Sequence, residues 1–471
     1  MNRNTDNNFV WGGRMVCLFP LLLFLFIVRT AEAQEALSFS LAEAKEYALS
    51  NSYVIRNSGL DVESAKKKVW ETIATGLPQI EGTADYTHNI EAGKVPFPVA
   101  IIPKEFWDEL GIPANTPVKD GFFPLSMSQK YSSSFGFGID QLIFDGSYIV
   151  GVGSAKIYLR LSTETKEKTE LDVLHALEEA YYSVLVAEEN LAVMKENLAN
   201  SQKLEKDTRQ MYQNGFVEEQ DVDQMKLSVQ KAENEILKAE REIRVARMVL
   251  KYTMGVKMET EIRLTDELAD FVEPLLAKSE TAASGFDYTS HIDYRLLDTQ
   301  RQANRKLLLN EKAAYLPKIS AFYDWNKTAF GDAANLFKSS VPWLPSSMIG
   351  LNITVPIFSS GQRMAKVRQA QFEYEKAENN QKQAEQLLQK DYLTAVADMQ
   401  SSVEQLNNDQ DNKLLAKRIY DKTVIKYNNG IVGSTDLSQT EGQYIQSQSA
   451  WVSSVMQLLT SKINLDKATG K

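Results

Sequence analysis
Three short motifs recur in the same order in the two halves of the chain, and this duplication constrains the fold more than any other feature. Leu77-Pro78-Gln79-Ile80 is matched by Leu316-Pro317-Lys318-Ile319. Ile143-Phe144-Asp145-Gly146 is matched by Ile357-Phe358-Ser359-Ser360-Gly361, and Tyr212-Gln213-Asn214-Gly215 by Tyr427-Asn428-Asn429-Gly430. An aspartate follows six residues after each last glycine, at Asp221 and Asp436. The interval from Gly146 to Gly361 equals that from Gly215 to Gly430, so a single repeat period relates the copies. The chain is therefore two copies of one unit, and its fold must be one that a repeated unit can build.

Each unit reads as helix, strand pair and long helical hairpin. A helical segment runs into the Leu-Pro pair, where proline removes a backbone donor and biases its predecessor away from helix. Alternation with period two follows. In the first unit Ile80, Gly82, Ala84, Tyr86 and His88 oppose Glu81, Thr83, Asp85, Thr87 and Asn89; the partner run puts Tyr131, Ser133, Phe135, Phe137 and Ile139 on one face. In the second unit Ile319, Ala321, Tyr323 and Trp325 are answered by Ile349, Leu351, Ile353 and Val355. Such alternation suits either a half-buried sheet in a soluble domain or a transmembrane barrel with lipid-facing apolar and lumen-facing polar residues. The absence of companion core segments favours the barrel. Four strands cannot close one, since barrels need about eight or more, so several copies must share it.

From Ser147 to Gln213 there is no proline, and Leu177, Val184, Leu191 and Leu198 recur every seven residues, a coiled-coil seam interrupted by Glu188. A helix of that length spans about 100 Å at 1.5 Å per residue, far beyond an ordinary globular helix. The run from Gln362 to Tyr427 repeats it. Shorter helices return after each Asn-Gly turn and are expected to stack end to end with the helices before the Leu-Pro pairs.

The segments read as follows: 1–33 a signal peptide, 34–76 N-terminal helices, 77–146 the first strand pair, 147–254 the first helical hairpin. The second half gives a linker at 255–290, a helix at 291–315, the second strand pair at 316–361 and the second hairpin at 362–471. The leader rests on Arg3 and Arg14, the apolar run Met15 to Val28 and the small-residue site Ala31-Glu32-Ala33. From Leu-Pro entry to glycine exit the first strand pair is the longer of the two, and its excess, 94–124, is proline-rich and reads as a surface loop.

Composition closes off other classes. The formal net charge is −10, with Lys+Arg 52 against Asp+Glu 62, which gives no basic footprint for nucleic acid. One cysteine, Cys17, and three histidines leave neither a disulfide framework nor an ordinary zinc ligand set. Asp172 and His175 share a helix face, but an interfacial histidine is the simpler reading. Gly146 to Gly151 has phosphate-loop spacing and lacks the Lys-Ser/Thr that must follow. No nucleophile, base and oxyanion set emerges, so no catalytic, metal-binding or cofactor-binding residue is assigned and no cofactor is expected.

The Ser40-Leu41-Ala42-Glu43-Ala44 start, both Leu-Pro entries, the Phe-x-Gly and Phe-x-x-Gly exits and the two Tyr-x-x-Gly tips together resemble the TolC-like outer-membrane efflux proteins along the mature chain. The resemblance implies an α+β membrane protein: a homotrimer whose twelve-stranded outer-membrane β-barrel continues into a periplasmic α-helical barrel. It implies an aqueous conduit in a tripartite efflux or secretion system, in contact with outer-membrane lipid. Its implied partners are a periplasmic adaptor (membrane fusion) protein and an inner-membrane transporter of RND, ABC or MFS type. By the same resemblance Asp436, Tyr427 and Asp221 match positions that line or latch the narrow end, and Gly215, Phe216, Gly430 and Ile431 match the adaptor-docking tips. Val432 stands where some members carry a latch arginine, and Gln439 where some carry a second aspartate. A plainer account of the same residues is turn glycines and helix-start aspartates. The rival from another class is a soluble periplasmic coiled-coil adaptor or scaffold without a pore, which would need a separate globular β-domain.

Overall fold
A computed structural model describes residues 37–91, 93–118, 121–126, 129–277 and 286–471. The expected leader, 1–33, and residues 278–285 of the linker lie outside the described residues. The first unit opens with strand β1 (Leu37–Phe39) and helices α1 (Leu41–Asn51) and α2 (Tyr53–Ala74), then strand β2 (Gln79–His88). A hairpin of β3 (Lys94–Pro98) and β4 (Phe122–Ser126) encloses the one-turn helix α3 (Trp107–Leu110). Strand β5 (Tyr131–Asp145) leads into α4 (Gly146–Gln213) and the returning α5 (Glu219–Met254). The linker supplies β6 (Ile262–Leu264) and α6 (Leu268–Ala277). The second unit is α7 (Ile292–Ala313), β7 (Lys318–Gly331), β8 (Leu344–Thr354), α8 (Gln362–Asn428) and α9 (Ser434–Thr469).

The four long strands form one antiparallel sheet in the order β2-β5-β7-β8. Its register aligns the two kinds of residue across all four strands. Ile80, Ile139, Tyr323 and Ile349 lie in one row, and Gly82, Phe137, Trp325 and Ser347 in the next row of that face. The opposite face carries Glu81, Gly138, Asp324 and Met348, then Thr83, Gly136, Asn326 and Ser346. Small residues on that face admit large neighbours: a Cβ at Gly350 would meet the Phe322 ring at 2.4 Å. Strands β2 and β8 each keep one unpaired edge within the chain.

Each strand continues into its own helix. Packing places α4 between α5 and α9, and α9 between α4 and α8; the strand-proximal helices α2 and α7 lean on α4 and α8. The helical wall thus has the same lateral order as the sheet. Helix α4 has 68 residues and α8 has 67, so each runs about 100 Å. Helix α4 starts where the Asp145 carboxylate accepts the backbone N–H groups of Ser147 at 2.8 Å and Tyr148 at 3.2 Å. Ion pairs fasten α7 to α4, with Arg295 held in a two-pronged pair by Glu167 at 2.7 and 2.9 Å and Lys168 2.7 Å from Asp293.

The expected end-to-end stacking is present and has a matching joint in each unit. Gly255 closes α5 in the left-handed conformation, and a Cβ there would sit 2.6 Å from the Asn51 carbonyl, between α1 and α2. Its counterpart one repeat later, Gly470, closes α9 against His291, the N-cap of α7. His291 Nδ1 accepts the Asp293 N–H at 3.2 Å, so its Nε2 carries the proton and donates to the Lys467 carbonyl at 2.9 Å.

The main core lies at mid-height. Leu177, Tyr181 and Val184 of α4 pack there with Leu250 and Met254 of α5, Leu406 of α8, and Val455, Leu458 and Ile463 of α9. The linker wraps this level: β6 pairs in parallel with β1, and Asp266 accepts the Leu41 N–H at 2.8 Å while lying 3.0 Å from the Tyr181 hydroxyl. Burial first, then the Asp266 carboxylate, pushes the Tyr181 hydroxyl above its ordinary pKa. The proline-rich excess differs from the expected plain loop. Its hairpin pairs Pro96 with Pro124 and covers a small core of Val99, Trp107 and Ile112. An isolated two-stranded ribbon has outward-facing positions where a missing N–H costs nothing.

Candidate functional site
The two hairpin tips lie at the end of the helices remote from the sheet. Both are built alike. Gly215 (φ +77°) and Gly430 (φ +70°) take the left-handed conformation that ends α4 and α8, and nothing lies within 4 Å of a Cβ built on either. Backbone conformation, rather than space, requires glycine there. The following N–H groups fold back, Phe216 onto the Met211 carbonyl and Ile431 onto the Lys426 carbonyl, each at 2.9 Å. The Phe216 and Ile431 side chains project from the tips, 77% and 69% exposed.

Behind the turns the two tips differ. At the first, Asp221 accepts the Glu218 backbone N–H at 3.0 Å and completes a capping box with Glu218. At the second, α9 starts from Gly433 with no side-chain cap, and Asp436 stands exposed in the first turn. Among the described residues no hydrogen-bond donor occupies the Asp436 carboxylate. The duplicated aspartates therefore have different local employment.

Tyr427 is neither exposed nor on the turn. It is 2% exposed, and its hydroxyl lies 3.1 Å from Thr208 Oγ1, which ties α8 to α4 across the hairpins. Leu204, Met225, Tyr420, Leu437 and Tyr444 pack around it, with Val432 at the margin. Burial, aided by the Asp221 charge, raises the pKa of its hydroxyl, so it stays protonated. The structure thus gathers Tyr427 and Asp221 behind the tips and leaves Asp436 and Gln439 on the surface. Sequence reasoning missed the polar seam above this cluster. Asn197 Nδ2 donates to Gln448 Oε1 at 2.8 Å and Ser201 Oγ to Glu441 Oε1 at 2.6 Å, all four residues being buried between α4 and α9. Their signal was faint: polar residues interrupting an apolar helical stripe.

His175 is buried among Glu178, Asp466, Lys467 and Asp172, and burial lowers its pKa against the pull of Glu178. Glu178 itself pairs with Lys45 and lies 3.7 Å from Lys462. No group of three or more His, Cys, Asp or Glu among the described residues is placed to hold a metal. Among them, too, no helix is long and apolar enough to cross a membrane.

A family model described as outer membrane efflux protein matches residues 46–256 and 298–471. No protein of curated function matches the sequence. Several solved structures share the fold. The CusC transmembrane channel is 17% identical, with a TM-score of 0.72 and 92% of each chain covered. The outer membrane protein VceC of Vibrio cholerae is 17% identical, with a TM-score of 0.67, covering 91% of this chain and 96% of its own. The CmeC outer membrane channel of Campylobacter jejuni, also 17% identical, gives 0.68 with 91% and 85% covered. The duplicated stave architecture, the four-stranded sheet with one apolar and one polar face, and a match over most of the chain agree: this protein belongs to the outer membrane efflux protein family and is an outer-membrane channel, not an enzyme.

Proposed function
We propose that three copies of the chain close into one conduit that receives substrates from an inner-membrane transporter through a periplasmic adaptor. The observation that carries this reading is the matched pair of free edges. β2 and β8 leave unpaired edges on opposite sides of the sheet, and α5 and α8 are the outermost long helices on the same two sides. A rotation that pairs β8 of one copy with β2 of the next also brings α8 against α5, and a heterologous contact of this kind closes into a ring. Three four-stranded sheets give a twelve-stranded barrel whose apolar rows face lipid and whose Glu81, Asp85 and Asp324 face the lumen. Removal of residues 1–33 after export belongs to the same reading.

The tips are the adaptor-docking ends. Phe216 and Ile431, presented by Gly215 and Gly430, offer exposed apolar anchors on rigid turns. Asp436, exposed at the mouth and free of capping duty, becomes a threefold ring of carboxylates that favours cations, while Asp221 and Tyr427 hold the tip around it. Transporters of RND, ABC and MFS type are all compatible with this arrangement, since the tips address the adaptor alone. Negative-stain microscopy and planar-bilayer recording of the detergent-extracted protein test the reading together. A threefold tube longer than about 100 Å that conducts ions, and loses cation preference in Asp436→Asn, is the expected result. Compact, non-conducting monomers would return the chain to the scaffold class.

A further inference from the structure
The duplication specifies which residues meet between copies, at the level of individual side chains. Helix α4 shifted by one repeat period falls on α8, and α5, Glu219–Met254, falls on Ser434–Thr469, the bounds of α9. Within the chain, α4 of the first unit packs on α9 of the second. The same step repeated once more sets α8 of the second unit on α5 of the first unit of another copy. The buried seam between α4 and α9 therefore serves as a template for the seam between copies.

Transferring the contacts is direct. Asn197 becomes Asn412, and its acceptor Gln448 becomes Glu233; Ser201 becomes Ala416, and Glu441 becomes Lys226. We propose that this chain's partner on the α8 face is a second copy seated in that register, with Asn412 Nδ2 donating to the Glu233 carboxylate of the neighbouring copy's α5. The proposal rests on the three-copy reading above and adds its register.

Two further observations agree with it, and one template contact does not carry over. Asn412 and Glu233 are both exposed in the single chain and have no hydrogen-bond partner among the described residues. Leu415, beside Ala416, is 50% exposed, and Leu227, beside Lys226, is 45% exposed. Their template positions, Asn200 and Gly442, flank the α4–α9 seam on opposite sides, so each leucine lies beside the contact between copies rather than against the other. The template's third polar tie, Glu178 with Lys462, transfers to Leu393 and Arg247. There the ionic contact is lost, and Arg247 pairs instead with Glu188 of its own chain at 2.7 Å. One of the template's three polar ties thus stands between copies.

The test is thiol trapping in the assembled protein, which carries no cysteine of its own once residues 1–33, with Cys17, are removed. Asn412→Cys combined with Glu233→Cys places one thiol on each side of the seam where two side chains meet through one hydrogen bond in the template, within reach of a short bismaleimide and, after small helix motions, of direct oxidation. Mild oxidation is expected to give covalent dimers and trimers on a denaturing gel. Asn412→Cys with Arg241→Cys, eight residues or about 12 Å out of register, is expected to stay monomeric there. Glu233→Gln, which copies the template's Gln448, should leave the assembly's dissociation temperature unchanged, and Asn412→Ala should lower it. Native trimers that fail to trap at 412/233, or trap equally at 412/241, overturn the register while leaving the three-copy reading standing. Absence of native trimers for the unmutated protein overturns both.

Discussion
Replacing Asp221 with Ala removes an acceptor from the Glu218 N–H and breaks a capping box, a loss of about 1 kcal/mol. Asp436→Asn removes no such bond, so its thermal stability should stay within about 0.5 kcal/mol of the parent. Thermal melts of the two variants separate a capping aspartate from one without capping duty at positions the duplication makes equivalent. The sequence alone could not separate them, because the difference lies in Glu218 against Gly433 at the N-cap, three residues upstream. His175 supplies a pH dependence. Its folded-state pKa lies below the ordinary value because burial disfavours the charged form. The unfolded chain therefore binds the proton more readily, and the stabilisation, complete above pH of about 6.5, is lost as pH falls below that value and through the folded one. Melting temperatures at pH 7.5 and 5.5 should differ more for the parent than for His175→Gln. An equal difference in both would assign the acid sensitivity to other groups.

Helix ends, rather than helix interiors, decide how the elements join. The long helices were legible in the sequence because no proline interrupts 147–213 and the apolar residues keep a heptad spacing, features local to the chain. The joints were legible only as an expectation of stacking, since the residues that make them are far apart in sequence. Gly255 reaches Asn51, and Gly470 reaches His291. Likewise the three-residue ladder between β1 and β6 is too short to give a periodic signal, and the β3–β4 hairpin is hidden by its prolines. The joints and the tips use glycine for different reasons, and substitution reveals it. Gly215→Ala meets no neighbour and bears only the left-handed backbone strain, about 1 kcal/mol. Gly255→Ala bears that strain and also drives a methyl to 2.6 Å from the Asn51 carbonyl, for a total of about 2–3 kcal/mol. Chemical denaturation of the two alanine variants should show the larger loss at Gly255. Equal losses would mean that the joint relaxes freely and that the stacked helices are not held there.

At the scale of the whole molecule, the lateral order of the sheet and the lateral order of the helices are the same, so one closure operation satisfies both. Such agreement was foreseeable from four alternating strands and two long hairpins. The position of Tyr427 was not, because a tyrosine next to a turn motif gives no sign of which way it points. Its burial links the two hairpins of one chain near the mouth, through Thr208 on α4 and the ring cluster with Tyr420 and Tyr444. The tips of one copy are therefore coupled as a pair before any partner arrives. Tyr427→Phe keeps the ring packing and deletes the hydroxyl tie, at a cost of about 1 kcal/mol. If the paired tips set the width of the mouth, this loss should raise the open fraction in planar-bilayer recordings by about fivefold, as RT ln 5 is about 1 kcal/mol, with single-channel selectivity unchanged. On the proposed reading selectivity follows a charge ring at Asp436, which the substitution leaves in place. A variant that alters selectivity but not open fraction would place Tyr427 on the conduction path, contrary to its burial. A variant that alters neither would leave the tie with a folding role alone and place the control of the mouth in the contacts between copies.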